Sequence, residues 1–422
     1  MRLPARFASI DCLGLRELVR GWLPSWRSRE FPHRYLDQHE SATSVRRRYL
    51  YCTWGYYPDQ FGGAERQAKA QAEELARRGH IVTVVCPRLH RNKSAFQQGV
   101  YVRRLRCIPR RPFVSASYSV ALFWLLLRRS HDFDLIYVHH AYFQADAAVL
   151  AGIIRRRPVL VKVAASGELG EIARMQRLGW ATATQLIGLR RATRVQATSA
   201  EIEQEVLSVG VKRDRILSMP NGVDTSAFRP ASPSEKRGAR ERLGLPGDGL
   251  ITLFVGRLAR HKGVNDLLGV WQRLHHNDSV LVFVGSAATM DPVDPLQSSE
   301  RVIVRDWSDD ILQYYHAADI FVLPSYVEGM SNAMLEAMAC GLAVISTRIG
   351  AAELVLEGGV SGLLITAGES RQLESALCQL IAAPATRVQL GEKARARIEA
   401  RFSLQSVVSR IESLTAELAS NR

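Results

Sequence analysis

Short apolar runs alternate with helical segments along most of the chain, and this alternation limits the folds that it can adopt. Ile81–Cys86 is an unbroken run of apolar and β-branched residues, which is typical of a strand buried on both faces. The predicted helix Ala64–Arg78 precedes it and is stopped by Gly79, and the short strand Tyr49–Trp54 precedes that helix. A strand, a helix and a strand in this order predict a parallel sheet.

The same alternation continues on both sides of a polar, proline-containing stretch that ends near Gly249. The further predicted strands are Leu135–His139, Val159–Ala164, Arg194–Thr198, Ile251–Val255, Val280–Val284, Arg301–Val304, Ile320–Leu323 and Ala343–Thr347. A chain of 422 residues is too long for one core. We therefore predict an α/β protein with two Rossmann-like, doubly wound domains. Its predicted parts are a basic extension (1–47), an N-terminal domain (48–225), a C-terminal domain (226–402) and a helix (403–422) that packs back on the N-terminal domain.

Basic residues are concentrated in the N-terminal half of the chain. Residues 1–220 contain 36 Lys and Arg against 18 Asp and Glu, whereas the remainder contains 20 against 23. Such an excess indicates either a basic surface that is simply solvated or a surface that attracts an anionic partner, such as acidic lipid headgroups or a lipid pyrophosphate. Nucleic acid is the least favoured partner, because neither an RNA motif with interleaved aromatic residues nor a recognition helix is visible.

One uncharged apolar segment, Phe113–Leu127, is flanked by arginine pairs. Its 15 residues fall short of the about 20 that are needed to span a bilayer, so we predict a buried or interfacial helix. The six cysteines are scattered without a C-x-x-C pair, which argues against a disulfide framework and a structural zinc site. With no secretory signal visible, these features predict a cytoplasmic protein, peripheral at the inner face of the cell membrane.

Two cations follow the predicted strand Ile251–Val255. Arg257 comes directly after Gly256, and Lys262 follows five residues later, before Gly263. Ligands of open α/β sheets bind beyond the carboxyl ends of the strands. An arginine fork and a lysine point charge at that place suit a diphosphate, although a solvated basic turn would have the same spacing.

A second group of polar residues, Glu328–Asn332, also follows a predicted strand. Gly329 lets the backbone approach a ligand, and either Ser331 or Asn332 can cap the next helix, whose N-terminal amides can hold a phosphate. Glu336 lies one turn into that helix among apolar residues. A carboxylate there suits a pair of vicinal hydroxyls such as those of a ribose, whereas a lone glutamate on a helix usually faces solvent.

Two features of the N-terminal half are weaker signals when each stands alone. Gly62 and Gly63 form a glycine-rich loop between the first strand and the first helix. The strand Leu135–His139 delivers His139 to its C-terminal end, with His140 next to it, and a packed or surface histidine is an equal alternative to a polar contact with a sugar. No dinucleotide, P-loop, zincin or serine-hydrolase motif and no metal-ligand cluster is visible in the sequence.

Taken in order, these stretches resemble the retaining glycosyltransferases of family 4, the group 1 transferases with the GT-B fold. The resemblance covers roughly residues 49–400. It rests on Gly62-Gly63-Ala64-Glu65, Arg78-Gly79-His80, Pro220-Asn221-Gly222-Val223-Asp224 with Phe228, Gly256-Arg257-Leu258 with Lys262-Gly263, and Pro324-Ser325 leading to Glu328, Glu336 and Ala337-Met338-Ala339-x-Gly341. It implies that the two domains face each other across a cleft, with the acceptor on residues 48–225 and the donor on residues 226–402.

The resemblance also implies a reaction. A hexosyl unit would pass from a nucleotide diphosphate sugar, with UDP favoured over GDP, to a lipid-linked or polysaccharide acceptor, without a metal or a further cofactor. The implied catalytic residues are His139, with His140 as the alternative if the strand register shifts by one, and Glu328. The implied donor-binding residues are Gly62 and Gly63 lining the cleft, Arg257 and Lys262 at the diphosphate, Glu328, Gly329, Met330, Ser331 and Asn332 at the sugar and phosphate, and Glu336 at the ribose.

The sequence departs from the family pattern at three places, one of which is the segment from Gly285 to Val302, which is shorter than usual. The stretch from Val163 to Glu168 stands where a Thr-x-His-Gly sequence is common, and Arg305-Asp306-Trp307 stands where a turn containing glycine is common. The acceptor side and the recognition of the base are therefore not carried over. Two other functions remain open, a nucleotide-sugar epimerase of the same architecture and a non-catalytic sugar-nucleotide-binding protein.

Overall fold

The apolar runs of the sequence form two parallel sheets in a computed structural model of the chain. The structure describes residues 45–57, 62–89, 94–110, 113–168, 170–177, 179–274, 278–287, 291–293, 299 and 301–420, and only the backbone of residues 180–183. The predicted extension, residues 1–47, lies almost entirely outside these ranges. The described residues from Arg46 onward belong to one compact unit.

The described strands are short and mostly buried on both faces, as the β-branched runs predict. They are β1 (Arg48–Cys52), β2 (Ile81–Pro87), β3 (Ala95–Gln97), β4 (Val100–Leu105), β5 (Leu135–Val138), β6 (Val159–Val163), β7 (Arg194–Ala197), β8 (Ile216–Ser218), β9 (Leu250–Val255), β10 (Ser279–Val284), β11 (Val302–Arg305), β12 (Ile320–Leu323), β13 (Ala343–Thr347) and β14 (Leu363–Ile365).

Helices connect most consecutive strands. The described α-helices are α1 (Gly63–Arg77), α2 (Phe113–Arg129), α3 (Phe143–Arg155), α4 (Glu171–Gln176), α5 (Trp180–Arg191), α6 (Ala200–Ser208), α7 (Pro233–Arg242), α8 (Val264–Arg273), α9 (Ile311–Ala317), α10 (Asn332–Ala339), α11 (Ala352–Val355), α12 (Ser370–Ala382), α13 (Pro384–Arg401) and α14 (Leu404–Ser420). Short 3-10 helices lie at Ser130–Asp132, Arg213–Arg215, Arg260–Lys262 and Glu357–Gly359.

The order of the strands reverses once in each sheet. The first sheet runs β3-β4-β2-β1-β5-β6-β7-β8 and is parallel apart from the β3–β4 pair, and the second runs β11-β10-β9-β12-β13-β14 with parallel pairs throughout. Successive strands are first added on one side of β1 or β9 and then on the other side. The point at which this order reverses lies between β1 and β5 in the first sheet and between β9 and β12 in the second. Doubly wound sheets bind ligands in the crevice beyond the carboxyl ends of the strands at such a point.

The last helix belongs to the core of the first sheet. Apolar side chains of α14 pack in one cluster with residues of α1, β1 and β2, among them Leu404, Ile411 and Leu414 from α14. The helix follows directly on α13, whose buried residues pack in the core of the second sheet. Helix α14 therefore returns to the half of the fold that contains β1 and α1.

Two segments join the two halves, and they run side by side. The Val223 amide donates to the Phe402 carbonyl at 2.9 Å, and the Leu404 amide donates to the Val223 carbonyl at 2.8 Å. Gly222 lies against the same segment, where a β-carbon would be 2.9 Å from the Leu404 Cα atom. The outgoing and returning chains are thus hydrogen-bonded to each other where they cross.

The predicted fold, α/β with two Rossmann-like doubly wound domains, is confirmed. The structure adds elements that the sequence pattern did not predict, chiefly the β3–β4 hairpin, strands β8 and β14, and helix α7 within the polar stretch before Gly249. The apolar segment Phe113–Leu127 is a helix, α2. In the described part of the chain, no helix is both long enough and apolar enough to cross a bilayer.

Candidate active site

Two loops of the second sheet meet where its strand order reverses. They are residues 256–263 after β9 and residues 324–331 after β12. Gly263 has a φ of 68°, and a β-carbon there would lie 2.0 Å from the Pro324 carbonyl oxygen. Only glycine fits this approach, and it brings Lys262 against the second loop.

Lys262 and Glu328 form an ion pair between these loops. The Lys262 Nζ atom is 2.6 Å from the Glu328 Oε1 atom, and the Ser325 hydroxyl donates to the same oxygen at 3.1 Å. Arg257 is exposed at the end of β9 and makes no ion pair with another described residue. Arg257, Lys262 and the carboxylate of Glu328 therefore all lie in loops that follow the carboxyl ends of β9 and β12.

The start of α10 faces the start of α1. The Ser331 side chain caps α10 by accepting from the Met334 amide at 3.3 Å. The Asn332 side chain donates to the Gly63 carbonyl at 2.8 Å and accepts from Gln67 Nε2 at 3.1 Å. The glycine-rich loop of the first sheet and the N-terminal end of α10, which is predicted to bind phosphate, are thus in direct contact.

Glu336 is buried one turn into α10. Its Oε2 atom accepts from the Tyr315 hydroxyl at 2.8 Å, and its Oε1 atom is 3.8 Å from the Arg66 Nη1 atom. The Arg66 guanidinium lies 3.8 Å from the centre of the Trp307 ring, which is a cation–π contact. Burial raises the pKa of Glu336, and Arg66 and Tyr315 lower it by less. An arginine of the first half of the fold thus contacts the predicted ribose carboxylate of the second.

Asn221 connects the first sheet to the same helix. Its Oδ1 atom accepts from the Lys162 Nζ atom at 2.6 Å, and its Nδ2 atom donates to Asn332 Oδ1 at 2.9 Å and to the Met330 carbonyl at 3.2 Å. Lys162 is fully buried in β6, and burial lowers its pKa to about 8. The turn at Asn221 therefore positions Met330 and Asn332 from the side of the first sheet.

The loop after β6 packs against the loop that carries Glu328. The Ser166 Oγ atom lies 2.9 Å from the Glu201 carboxylate and 3.1 Å from the Glu328 carbonyl, so its one proton bonds to either oxygen or is shared between them. A β-carbon on Gly329 would lie 2.0 Å from the Ala164 carbonyl oxygen. The stretch that departs from the family pattern is therefore in contact with the predicted sugar-binding loop, and Gly329 is required there because the two backbones touch.

His139 is completely buried directly after β5, and its ring is packed against neighbouring side chains. The ring packs on Tyr137 and Tyr51, with ring centres 4.2 Å and 5.2 Å apart. Neither ring nitrogen makes a well-formed hydrogen bond to a described atom, although the Ala64 backbone lies close enough to favour the charged form slightly. Burial, and then the charge of Lys162, lower the pKa of His139, so its ring stays neutral. Its role at the sugar remains a prediction.

His140 has a different environment from that of its neighbour. Its ring nitrogens lie 3.1 Å from Glu171 Oε1 and 3.3 Å from Glu65 Oε1. Burial opposes the charged form, but the hydrogen bonds to Glu171 and Glu65 outweigh it and raise the pKa of His140 to about 9. Glu65 also accepts from the Gly62 amide at 3.1 Å. A charged His140 therefore connects the glycine-rich loop to α4.

Several residues of this region were not predicted from the sequence. Arg66 lies in the first turn of α1. Its position just after the glycine-rich loop is the sequence feature that could have indicated a role in the site. Lys162 interrupts the apolar strand Val159–Val163, and a charge in a buried strand calls for a partner. The contacts of Ser166 and Trp307 depend on how the two sheets meet, and the sequence pattern does not contain this information.

Comparisons with known families match both halves of the chain. A family model described as glycosyl transferases group 1 matches residues 249–383. A second model, described as glycosyltransferase family 4, matches residues 61–227. The first match spans the strands and loops around Lys262, Glu328 and Glu336, and the second spans the glycine-rich loop and His139.

Individual proteins are similar over much of the chain. D-inositol 3-phosphate glycosyltransferase 1 of Catenulispora acidiphila is 28% identical over 62% of this chain and 66% of its own length. The α-maltose-1-phosphate synthase of Mycobacterium tuberculosis is 26% identical over 82% of this chain and 93% of its own length. The solved structure of Anabaena HepE in complex with UDP-glucose has a TM-score of 0.73 and 22% identity, and the match covers 89% of this chain and 100% of that one. That structural likeness concerns the fold.

Proposed function

Because this chain belongs to the group 1, family 4 glycosyltransferases, we propose that it moves a hexosyl unit from a nucleotide diphosphate sugar to a lipid-linked or polysaccharide acceptor, with retention at the anomeric carbon. UDP-sugars are the favoured donors and GDP-sugars the next. The UDP-glucose held by the structurally similar Anabaena protein supports this order.

The Lys262–Glu328 ion pair beside the start of α10 is the observation that carries the proposal. Lys262 supplies a point charge and Arg257 a planar fork at the carboxyl end of β9, while the N-terminal amides of α10 supply a positive dipole end. A diphosphate needs this set of donors, and these groups come together at the reversal of strand order where doubly wound sheets bind nucleotides.

Glu336 suits the ribose of the donor nucleotide. Its carboxylate accepts one hydrogen bond from Tyr315 and faces Arg66 at 3.8 Å, which is long for an ion pair. Carboxylate oxygens have further lone pairs that can accept from two vicinal hydroxyls. The nucleotide then approaches Arg66 and Trp307, and Arg66 exchanges part of its contact with Glu336 for a contact with the ligand.

We propose that transfer occurs on one face of the sugar. The bond between the anomeric carbon and the diphosphate oxygen breaks with its electron pair going to the diphosphate, and the acceptor oxygen bonds to the same face and gives its proton to the departing diphosphate. Lys262, Arg257 and the dipole of α10 stabilise the charge that develops on the leaving group. Glu328 is held by Lys262 and Ser325, so it is a poor nucleophile for a double displacement.

The acceptor is expected on the side of the first sheet. The basic excess of residues 1–220 favours an acceptor that carries phosphate or lies at an anionic surface. The loop of Ala164 and Ser166, which departs from the family pattern, contacts the Glu328 loop at the place where an acceptor would meet the sugar.

The proposal is tested by a calorimetric screen of UDP, GDP, ADP and their sugars, followed by NMR of the product formed with lipid-linked and glycan acceptors. We expect the tightest binding for UDP and its sugars and an α-linked product from an α-linked donor. An inverted product would contradict the one-face mechanism. A covalent glycosyl adduct on Glu328 in mass spectrometry would replace it with a double displacement. Conversion of the donor sugar without transfer would instead indicate an epimerase.

A further inference from the structure

Three neighbouring helices of the first sheet end in arginines at the same edge. The helices α2, α3 and α5 pack side by side, and each returns from the carboxyl edge of the sheet to its amino edge before the next strand. Their C-terminal ends carry Arg128–Arg129, Arg155–Arg157 and Arg190–Arg191. The arginines therefore gather at the amino edge of the sheet, opposite the cleft where the donor is expected.

An open cavity of about 390 Å³ lies at this edge. Four of its lining residues are arginines, which we call the arginine pocket: Arg156, Arg157, Arg191 and Arg194. Its apolar wall is formed by Val149, Ile153, Pro158, Val159 and Leu418. Pro158, Val159 and Arg194 stand at the beginnings of β6 and β7, so the pocket is separate from the loops that follow the strands.

The positive charge of the pocket is largely uncompensated. Arg194 is paired with Glu417 at 2.8 Å. In contrast, Arg156, Arg157 and Arg191 make no ion pair with any residue that the structure describes. One cation at a helix C-terminus complements the helix dipole, which amounts to about half an elementary charge. Three unpaired guanidinium groups around one cavity exceed that requirement and suit an anion with several oxygens.

Exposed apolar side chains surround the pocket. Leu150, Ile153 and Ile154 of α3 are each about half exposed, and so is Ile187 of α5. Ile153 both lines the cavity and reaches solvent, so the apolar surface is continuous with the pocket wall. Arginines beside exposed apolar side chains are the combination found at membrane interfaces, where the charge meets the headgroups and the apolar side chains enter the boundary of the acyl region.

We propose that the arginine pocket binds the phosphate of an anionic phospholipid headgroup, with the acyl chains lying against Leu150, Ile153 and Ile154. The proposal rests on the proposed transfer to a membrane-proximal acceptor and adds the site that holds the enzyme at the surface. Phosphate oxygens match the planar forks of Arg157 and Arg191, and the apolar wall of the cavity matches the glycerol part of the lipid.

The test compares two double variants of the full chain that lose the same charge. The pocket variant is Arg157→Gln with Arg191→Gln, which changes two different helices. The control is Arg371→Gln with Arg401→Gln, both exposed residues of the second half. Sedimentation with phosphatidylglycerol-containing vesicles and with pure phosphatidylcholine vesicles measures membrane binding, and calorimetry with glycerol phosphate measures binding of a soluble phosphate. Donor hydrolysis without vesicles reports separately on the proposed transferase site.

We expect the pocket variant to bind anionic vesicles about tenfold or more weakly than the wild type, and the control to change little, while both hydrolyse donor normally. Ile154→Ser should weaken vesicle binding without changing glycerol phosphate binding.

An equal loss of vesicle binding in the pocket variant and the control would overturn the proposal, because binding would then depend on the overall charge of the protein. Loss of glycerol phosphate binding with vesicle binding intact would assign the pocket to a soluble phosphate ester, and wild-type protein that ignores anionic vesicles would also overturn it. If the double variant does not fold, the exposed Arg156→Gln change decides in the same assays.

Discussion

The Nζ atom of Lys262 lies 2.6 Å from the Oε1 atom of Glu328, so the cation predicted for the donor diphosphate is already held by a carboxylate. A charge-assisted contact of this kind contributes about 1.5–3 kcal/mol, and a donor that binds Lys262 must share it with Glu328. This arrangement makes the effects of the two residues on nucleotide binding opposite in sign.

Lys262→Ala should weaken UDP binding by about tenfold or more, because it removes a cation and leaves the Glu328 charge facing the diphosphate. Glu328→Gln should bind UDP at least as tightly as the wild type and lose turnover. Calorimetry and donor-hydrolysis rates measure the two effects, and Arg371→Gln is the charge control. Unchanged affinities for both UDP and GDP in the double variant Arg257→Ala with Lys262→Ala would show that the diphosphate lies elsewhere.

Nucleotide affinity should depend on the ionisation of Glu336. Burial raises the pKa of this carboxyl above its usual 4.5, and only the ionised form accepts from both ribose hydroxyls. Affinity should therefore fall as the pH is lowered through that raised pKa. Arg66→Ala removes the facing cation and should move the midpoint to higher pH. Titration calorimetry of UDP between acidic and neutral pH measures the affinity of the wild type and of Arg66→Ala at each pH. If the two curves superimpose, Arg66 does not influence the ionisation of Glu336.

His139→Ala should lower turnover more than nucleotide affinity, because the ring is expected near the reacting sugar and not near the base. The ring is completely buried, so the change also creates a cavity, and thermal unfolding must be measured on the same variant. A loss of turnover with UDP affinity retained supports the assignment. If His139→Ala keeps its turnover and His140→Ala loses it, the role belongs to the neighbouring residue.

His140 should make stability depend on pH in the alkaline range. Its pKa is raised from 6.5 to about 9 in the folded protein. Its charged form thus stabilises the fold fully below pH 6.5, and this contribution disappears as the pH rises through about 9. The free energy of unfolding of the wild type should fall over this range by more than that of His140→Gln. Chemical denaturation at several pH values tests this, and parallel profiles would mean that the ring is not charged.

Transfer should continue in the presence of EDTA. In the proposed mechanism Arg257, Lys262 and the N-terminus of α10 offset the charge of the leaving diphosphate, a task that a divalent ion can otherwise perform. Rates before and after EDTA treatment and after adding back magnesium or manganese measure this. A rate that disappears with EDTA and returns with either metal would contradict the metal-free mechanism.

The sequence predicted the buried strands well because a strand covered on both faces must be apolar along its whole length. Ile320–Leu323 and Ala343–Thr347 match the structure to the residue. Elements without this signal were missed. Helix α7, Pro233–Arg242, consists mainly of polar and charged residues, although its capping box of Ser232 and Glu235 marks its start. The β3–β4 hairpin lies at the sheet edge, where alternation is weaker.

The motifs located the loops of the candidate site, but they did not give the partners of each side chain. The motifs include both Lys262 and Glu328, yet the ion pair between them depends on the approach of Gly263 to Pro324, which sequence spacing does not encode. Arg66 contacts Glu336, which is 270 positions away in the chain, and Trp307, which is 241 positions away, and only the packing of the two sheets brings them together.

The position of α14 has a consequence for how the protein is made. Its side chains Leu404, Ile411 and Leu414 complete the core of the first sheet, whose strands begin at Arg48. During synthesis the first half therefore emerges from the ribosome with an apolar face on α1 and its neighbouring strands that nothing covers. That face stays uncovered while the second half is translated, and it is buried only when α14 has emerged, which exposes the growing chain to aggregation for that time.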